Sequence, residues 1–315
     1  MTDPLTVPED LDGARLDKAI AQLLPGLSRS RVKRAIEEKA IRVNGRALPK
    51  GAIVAKGDVI RLDPTFAAEE KDAPAVATPD APLVVLFESP TVIVADKPAG
   101  MPTAPLRGGE IGTLANALVG HFPELAGVGH SPREPGLVHR LDTETSGVVL
   151  AARTVAAFES IRHALKSGRL EKRYLLVCLG EGLPDEGSIE FPIANHPKDQ
   201  RRVYACIHPR DVMRYEPRPA TTRYAVKRRG ARWALVEVDI SRALRHQIRV
   251  HFASIEHPLA GDVLYGGIAI HALGRHALHA SRVAFAGDEV VDAFDVSSPL
   301  PHEMAALVEA ADGDG

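Results

Sequence analysis

Residues 139–152 read HRLDTETSGVVLAA, and the fold is read outward from this stretch. Val148–Ala152 is an apolar run suited to a buried strand, and Asp142 stands in the turn just before it. An arginine, Arg140, lies two residues back, and small polar residues follow. An Asp in a turn is, taken alone, usually only a turn residue. On a loop carried by a rigid strand, however, a single carboxylate can be presented to a ligand.

Outward from that strand, the chain alternates irregularly between strand and helix signals. Leu83–Phe87 and Thr91–Ala95 read as strands joined by Glu88-Ser89-Pro90, and Asp96–Gly100 as a tight loop. Thr113 is placed to cap a helix running through Phe122. Thr154–Gly168 has helical spacing of Phe158, Ile161 and Leu165. Tyr174–Leu179, Ser188–Ile193, Thr221–Lys227 and Trp233–Ile240 read as strands, and helical periodicity returns over Leu244–Ser254. Strands outnumber helices, which predicts an α+β domain with a mixed, mostly antiparallel sheet and flanking helices. Neither GxGxxG nor GxxxxGK[ST] occurs, so no dinucleotide fold or phosphate loop is expected.

Residues 63–82, DPTFAAEEKDAPAVATPDAP, are rich in Ala, Pro and acids and lack an apolar period, as a linker would. The expected division is a small module over 1–62, the linker over 63–82, a larger domain over 83–302 and an acidic tail over 303–315. In the small module Leu16, Ile20 and Leu23 or Leu24 recur at helical spacing. Ser28 or Ser30 looks like the cap of a second helix carrying Val32 and Ile36. Ile41 and Val43 precede an Asn44-Gly45 turn, and Val59, Ile60 and Leu62 supply a closing strand.

Of the 315 residues 45% are hydrophobic and 25% charged, ordinary values for a globular protein. No apolar stretch is long enough to span a bilayer, and the N-terminus lacks the pattern of a signal peptide. Only two cysteines occur, Cys178 and Cys206, so a reducing, cytoplasmic setting is expected. The net charge of −2 hides segregation. Arg29, Arg31, Lys33, Arg34 and Arg42 crowd the small module, and a second basic stretch runs from Lys198 to Arg229. Such clustering suits a polyanion, and a helix dipole would add to it near the start of the second helix. A merely solvated basic face is the alternative.

HRLDTETSG closely resembles the active-site signature of the RluA/RluD-type pseudouridine synthases. The resemblance runs from about residue 83 to 290. It continues through DKPAGM (96–101), KRYLLV (172–177), FPIA (191–194), PATTRY (219–224), HQIRVH (246–251), HPLAGD (257–262), LYG (264–266) and LHA (278–280). In the small module RLDKAIAQLLP, SRSRVKRAIEE, IRVNGR and KGDVIRL resemble an S4-like RNA-binding domain of small α/β type. The resemblance implies the pseudouridine synthase fold and an RNA uridine isomerase. It makes large-subunit ribosomal RNA the first substrate to consider and tRNA the second. It implies that Asp142 is the catalytic carboxylate, that Tyr174 packs against the target base and that Arg140 helps hold the nucleotide out of the stack. It further implies that Arg249 pairs with Asp142.

One departure stands out. Ala243-Leu244-Arg245 replaces the Gly-Arg-Thr/Ser that usually precedes HQIR in that family, leaving Arg242 or Arg245 as substitutes for the missing arginine. The reaction needs no cofactor, and none is expected. His271, His276 and His279, or Cys206 with His208, do not match compact zinc spacing, so no metal is expected either. No membrane partner is expected, and the chain is expected to act as a monomer. Rival readings are a catalytically silent RNA-binding or ribosome-assembly factor and a two-carboxylate glycosidase, for which Glu144 is the nearby second acid.

Overall fold

The computed structural model describes residues 4–24, 29–63, 73–240 and 243–309, with only the backbone described at 29–31. Two compact units result, Met1–Ala73 and Pro74–Gly315. Each has a core of its own.

In the first unit, β1 (Leu5–Thr6), α1 (Leu16–Leu23), α2 (Arg29–Glu37), β2 (Ile41–Val43) and β3 (Val59–Leu62) follow in order. The strands pair in the order β1-β3-β2. Leu16 and Ile20 of α1 and Val32 and Ile36 of α2 point into one core with Ile41, Val43 and Ile60. Asn44 and Gly45 both take left-handed backbones, as a tight two-residue turn requires. The candidate cap Ser28 lies outside the described residues.

The second unit is built on one sheet of nine strands among the described residues. In chain order its elements are β4 (Val84–Glu88), β5 (Val92–Lys97), α3 (Leu114–His121), β6 (Ser146–Ala152), α4 (Val155–Ser167), β7 (Leu170–Leu179) and β8 (Glu186–Ile189). There follow β9 (Ile193–Asn195), β10 (Val203–Ala205), α5 (Pro209–Tyr215), β11 (Thr222–Arg229), β12 (Trp233–Asp239), α6 (Gln247–Ser254), β13 (Leu278–Phe285), β14 (Phe294–Ser297) and α7 (His302–Glu309). The order across the sheet is β4-β5-β6-β13-β7-β12-β11-β8, with β14 also on β13, while β9 and β10 form a separate hairpin. All pairs are antiparallel except β6 with β13.

Period-two alternation sorts the two faces. Leu176 and Cys178 of β7 face the main core, which takes in Leu118 of α3, Phe158 and Ile161 of α4 and Phe252 of α6. Val177 faces the other way and packs with Trp233, Met304 and Val308. β6 is buried along its whole length. At Gly147, φ +110°, an added Cβ would fall 2.1 Å from the Ala280 carbonyl oxygen, so the close β6–β13 approach needs glycine there.

Local signals read from the sequence match where they rest on caps. Thr113 and Asn116 form a reciprocal capping box on α3, and Thr154 and left-handed Gly168 bound α4. Five readings differ. The linker ends earlier: Ala75 N–H donates to Pro132 O, Thr78 N–H to Asn116 O and Asn116 Nδ2 to Val76 O, which joins 74–82 to the larger unit. The acidic tail is, up to Glu309, the helix α7, because Met304 and Val308 provide it with an apolar face. The strand expected over Ser188–Ile193 is two strands, β8 and β9, with Pro192, which has no N–H to donate, between them. The helix expected from Leu244 starts at Gln247, and Asp96 and Lys97, expected at the start of a loop, are the last residues of β5. Among the described residues no helix is long and apolar enough to cross a membrane.

Candidate active site

Asp142 belongs to the loop that feeds β6, and buried groups tether that loop on several sides. Thr103 hydroxyl donates to Leu141 O at 2.8 Å and accepts Leu141 N–H at 3.1 Å. The fully buried Lys97 ammonium donates to Pro98 O, Met101 O and Thr143 O at 2.8, 2.8 and 3.0 Å. Burial pulls that amine's pKa down to about 8, against the opposing charges of Glu144 and Asp142. The loop also closes on itself, with Thr145 N–H donating to Asp142 O. Thr145 and Ser146 side chains bond His276 and His279 at 2.8 and 2.9 Å.

Arg249, buried on α6, faces that loop. Its Nε and Nη2 grip the two oxygens of Asp262 at 2.7 and 2.8 Å, and its Nη1 reaches Asp142 Oδ2 at 3.2 Å. The planar fork thereby spends one edge on a buried anchor and leaves one donor for the cleft. Burial opposes the guanidinium charge, yet bonding to Asp262, and Asp262 and Asp142 charges, outweigh it and raise its pKa.

The cleft around Asp142 is open to solvent and is lined by Arg140, Tyr174, Leu244, His246 and Arg249 among others. Tyr174 is buried on β7, and burial first, then the charge of Asp142, push its phenol's pKa well above the ordinary range. It is therefore a neutral ring at the cleft wall. Arg140 stands at the mouth, its side chain exposed and bonded to Glu134 at 2.8 Å. The four cleft residues expected from the sequence thus come together, Arg140 as a rim group and not a direct partner of Asp142.

The basic clusters are partly neutralised by neighbours. Lys33 lies 3.6 Å from Glu37 and Arg34 lies 3.1 Å from Glu38, while Arg42 donates to Gly45 O. The side chains of Arg29 and Arg31 lie outside the described residues. In the second stretch Arg201 pairs with Asp199, Lys227 with Glu237, Arg228 with Glu309 and Arg229 with Asp185.

Residues 91–254 match the family described as RNA pseudouridylate synthase, and residues 14–60 match the S4 domain. The chain is 37% identical to the ribosomal large subunit pseudouridine synthase D of Nitrosomonas europaea, over 98% of this chain and 88% of that one. With the enzyme of the same name from Yersinia pestis it shares 32% identity, over 98% and 94%. The chain belongs to the RNA pseudouridylate synthase family. A solved structure, human RNA pseudouridylate synthase domain containing 1, shares the fold at a TM-score of 0.55 and 22% identity, covering 76% of this chain and 99% of that one.

As a family member the chain is an RNA pseudouridine synthase, which removes the glycosidase and silent-factor readings. Its departure before HQIR has a structural account. Leu244 packs with Val250 and Tyr265, and Arg245 donates to Gln200 O and Arg202 O at 3.0 and 2.8 Å. Arg245 is therefore committed to the loop before β10, and Arg242 lies outside the described residues. The strings HPLAGD, LYG and DKPAGM contain Asp262, Tyr265 and Lys97, yet nothing in the sequence gives these three a part. A buried arginine needs more than one acceptor, and that requirement is the available signal for Asp262. His246 falls within the stretch of helical periodicity, but it precedes α6 on a left-handed backbone.

Proposed function

We propose that this enzyme turns uridine into pseudouridine in large-subunit ribosomal RNA, with Asp142 as the group that reacts at the sugar. The observation that carries the reading is the Asp142 carboxylate held 3.2 Å from the anchored Arg249 in a cleft walled by Tyr174. The bond between uracil N1 and ribose C1′ breaks with its electron pair going to N1. The base then turns, and C5 bonds to C1′. Asp142 acts either as nucleophile at C1′, later displaced by C5, or as base toward the C2′ hydrogen, which it afterwards returns. Both routes release the same uracil anion.

In this reading Tyr174 offers a ring face to the extruded base, replacing part of the stacking whose loss costs a few kcal/mol. Arg140, at the rim, is free to leave Glu134 for the RNA and hold the gap open. Arg249 holds and orients the Asp142 carboxylate. Arg29, Arg31, Lys33, Arg34 and Arg42 contact phosphates, in competition with acids such as Glu37 and Glu38. The relatives' names support the large-subunit substrate, and a ribosomal RNA substrate implies a cytoplasmic enzyme. The working unit in this reading is a single chain, in keeping with a cleft whose described lining residues all belong to the second unit.

The test is to incubate purified protein with large-subunit ribosomal RNA and, separately, with tRNA, then map pseudouridines at single-nucleotide resolution. Wild type should mark the ribosomal RNA, and Asp142→Asn, nearly isosteric, should bind it with normal affinity and leave it unmodified. Pseudouridine made by Asp142→Asn at an unreduced rate would sink the assignment of the carboxylate. Marks on tRNA alone would sink the substrate.

A further inference from the structure

His246 also lines the cleft, and the chemistry above gives it no part. Its backbone is left-handed, φ +52° and ψ +18°, which costs a residue with a Cβ about 1–2 kcal/mol. Its side chain makes no cap bond to α6. Instead its Nδ1 lies 2.9 Å from the Tyr265 hydroxyl, and its Nε2 lies 3.6 Å from Asp142 Oδ2. A strained backbone that aims a polar ring into a cleft is a reason to look for function.

The available donors and acceptors fix which nitrogen carries the proton. Tyr265 hydroxyl already accepts Val203 N–H at 2.9 Å. A phenol has one proton to give, and among the described residues Nδ1 of His246 is the acceptor within reach. Nδ1 therefore accepts, and the ring hydrogen is on Nε2, facing the cleft. Burial is the main cause that lowers the ring's pKa; Asp142 and Asp262 oppose it, while Arg249 and Arg245 add to it. The ring is neutral at physiological pH, with one N–H beside the carboxylate.

We propose that this Nε2–H donates to the uracil carbonyl beside the glycosidic bond, O2 in uridine and O4 in pseudouridine. The inference rests on the reading of Asp142 given above. A ribose within reach of Asp142 carries N1, whose neighbouring carbonyl is O2. The half-turn that brings C5 to C1′ exchanges O2 with O4, so a single fixed donor serves reactant and product alike. Between the two, N1 holds the electron pair of the broken bond, and the negative charge spreads onto O2, O4 and C5. The hydrogen bond is strongest at that point, which is what accelerates a reaction. C5 then bonds C1′ and gives up its hydrogen as a proton, and N1 takes one up, so no atom or electron is gained or lost. Cytosine would present an amino group after the turn, donor against donor, and would be rejected.

The decisive variant is His246→Asn in the full-length protein. Asn tolerates a left-handed backbone better than most residues and can still meet Tyr265, but it places no donor at the Nε2 position. Wild type and variant are compared in single-turnover assays on a synthetic RNA spanning the uridine mapped above, with uridine or 2-thiouridine at the target. The variant should melt no lower than wild type and bind RNA within about twofold, while turning over about 100-fold more slowly, the cost of one lost donor to a developing anion. Sulfur is a poor acceptor, so 2-thiouridine should slow wild type markedly and add little to the loss in the variant. An unchanged rate in His246→Asn, or an equal sulfur penalty in both proteins, overturns the proposal. A fully active His246→Asn beside an inactive Asp142→Asn would sink this inference alone. An active Asp142→Asn would sink the reading beneath it.

Discussion

Replacing Arg249 by Met keeps most of the aliphatic bulk and removes the charge that two carboxylates share. At the 3.2 Å separation from Asp142, with an effective dielectric of about 20, the attraction removed is about 5 kcal/mol before desolvation is subtracted. Asp142 retains access to the cleft, and water can replace part of that attraction. Asp262 has no such recourse: its side chain is 1% exposed, and both of its oxygens bond Arg249. Leaving a buried partner uncompensated typically costs about 3–5 kcal/mol. For a domain of this size that corresponds to a drop in Tm of about 6–20 °C. The penalty is one of unpaired charge, so Arg249→Met/Asp262→Asn should recover much of the stability without recovering any activity. Thermal and urea melts of the wild type, both single variants and the double variant form the cycle that measures this coupling. A single Arg249→Met melting within about 2 °C of wild type, or a double variant no more stable than it, would refute the buried-anchor account.

Two further outcomes follow from the same geometry. Removing Met1–Ala73 should weaken RNA binding and flatten its salt dependence, by about 0.7–0.9 in log–log slope for each phosphate no longer neutralised; an unchanged salt titration would show that the first unit does not hold RNA. The His276 ring, bonded to Thr145, is pushed down to about 2, by burial first and then by the cations Arg249 and Arg275. Its folded value lies below the ordinary 6.5, so the unfolded chain takes the proton first; stability from this group is whole above about pH 6.5 and is lost as pH falls toward 2. Between about pH 6 and 4, His276→Gln should show a stability slope shallower by about 1.4 kcal/mol per pH unit, read from urea melts; an identical slope would mean the ring is not a buried neutral group.

Elements whose signals are local were legible in the sequence. Thr113 and Thr154 name their helices because a cap bond involves residues three apart, and Gly168 names a stop because of its backbone freedom. The run from Val148 to Ala152 is apolar on both sides because β6 is covered on both. What escaped depends on partners distant in the chain. Residues 74–82 look like linker until Asn116 reaches Val76, 40 positions away. Glu303 reads as part of an acidic tail until Arg275 pairs with it and Met304 finds its pocket. Asp142, Tyr174 and Arg249 could be named because their strings resemble a family signature. Asp262, Tyr265 and Lys97 have functions that consist of holding another group in place, which no spacing along the chain reveals. The left-handed turn at His246 was invisible because periodicity counts apolar residues and does not register such a residue ahead of a helix.

The separation of the two cores bears on what the ribosome releases and when. The first unit closes its core with residues no later than Leu62. The second cannot assemble its site until Arg249 and Asp262 are made, and Ser146 and Gly147 at the start of β6 lack their parallel partners until β13 arrives with His279 and Ala280. Domains generally fold as units during synthesis, the N-terminal one first. Nascent chains arrested before residue 278 should therefore bind RNA and leave every uridine untouched, a state that RNA capture by stalled ribosomes can detect. On this account the chain gains the means to hold RNA before it gains the means to modify it.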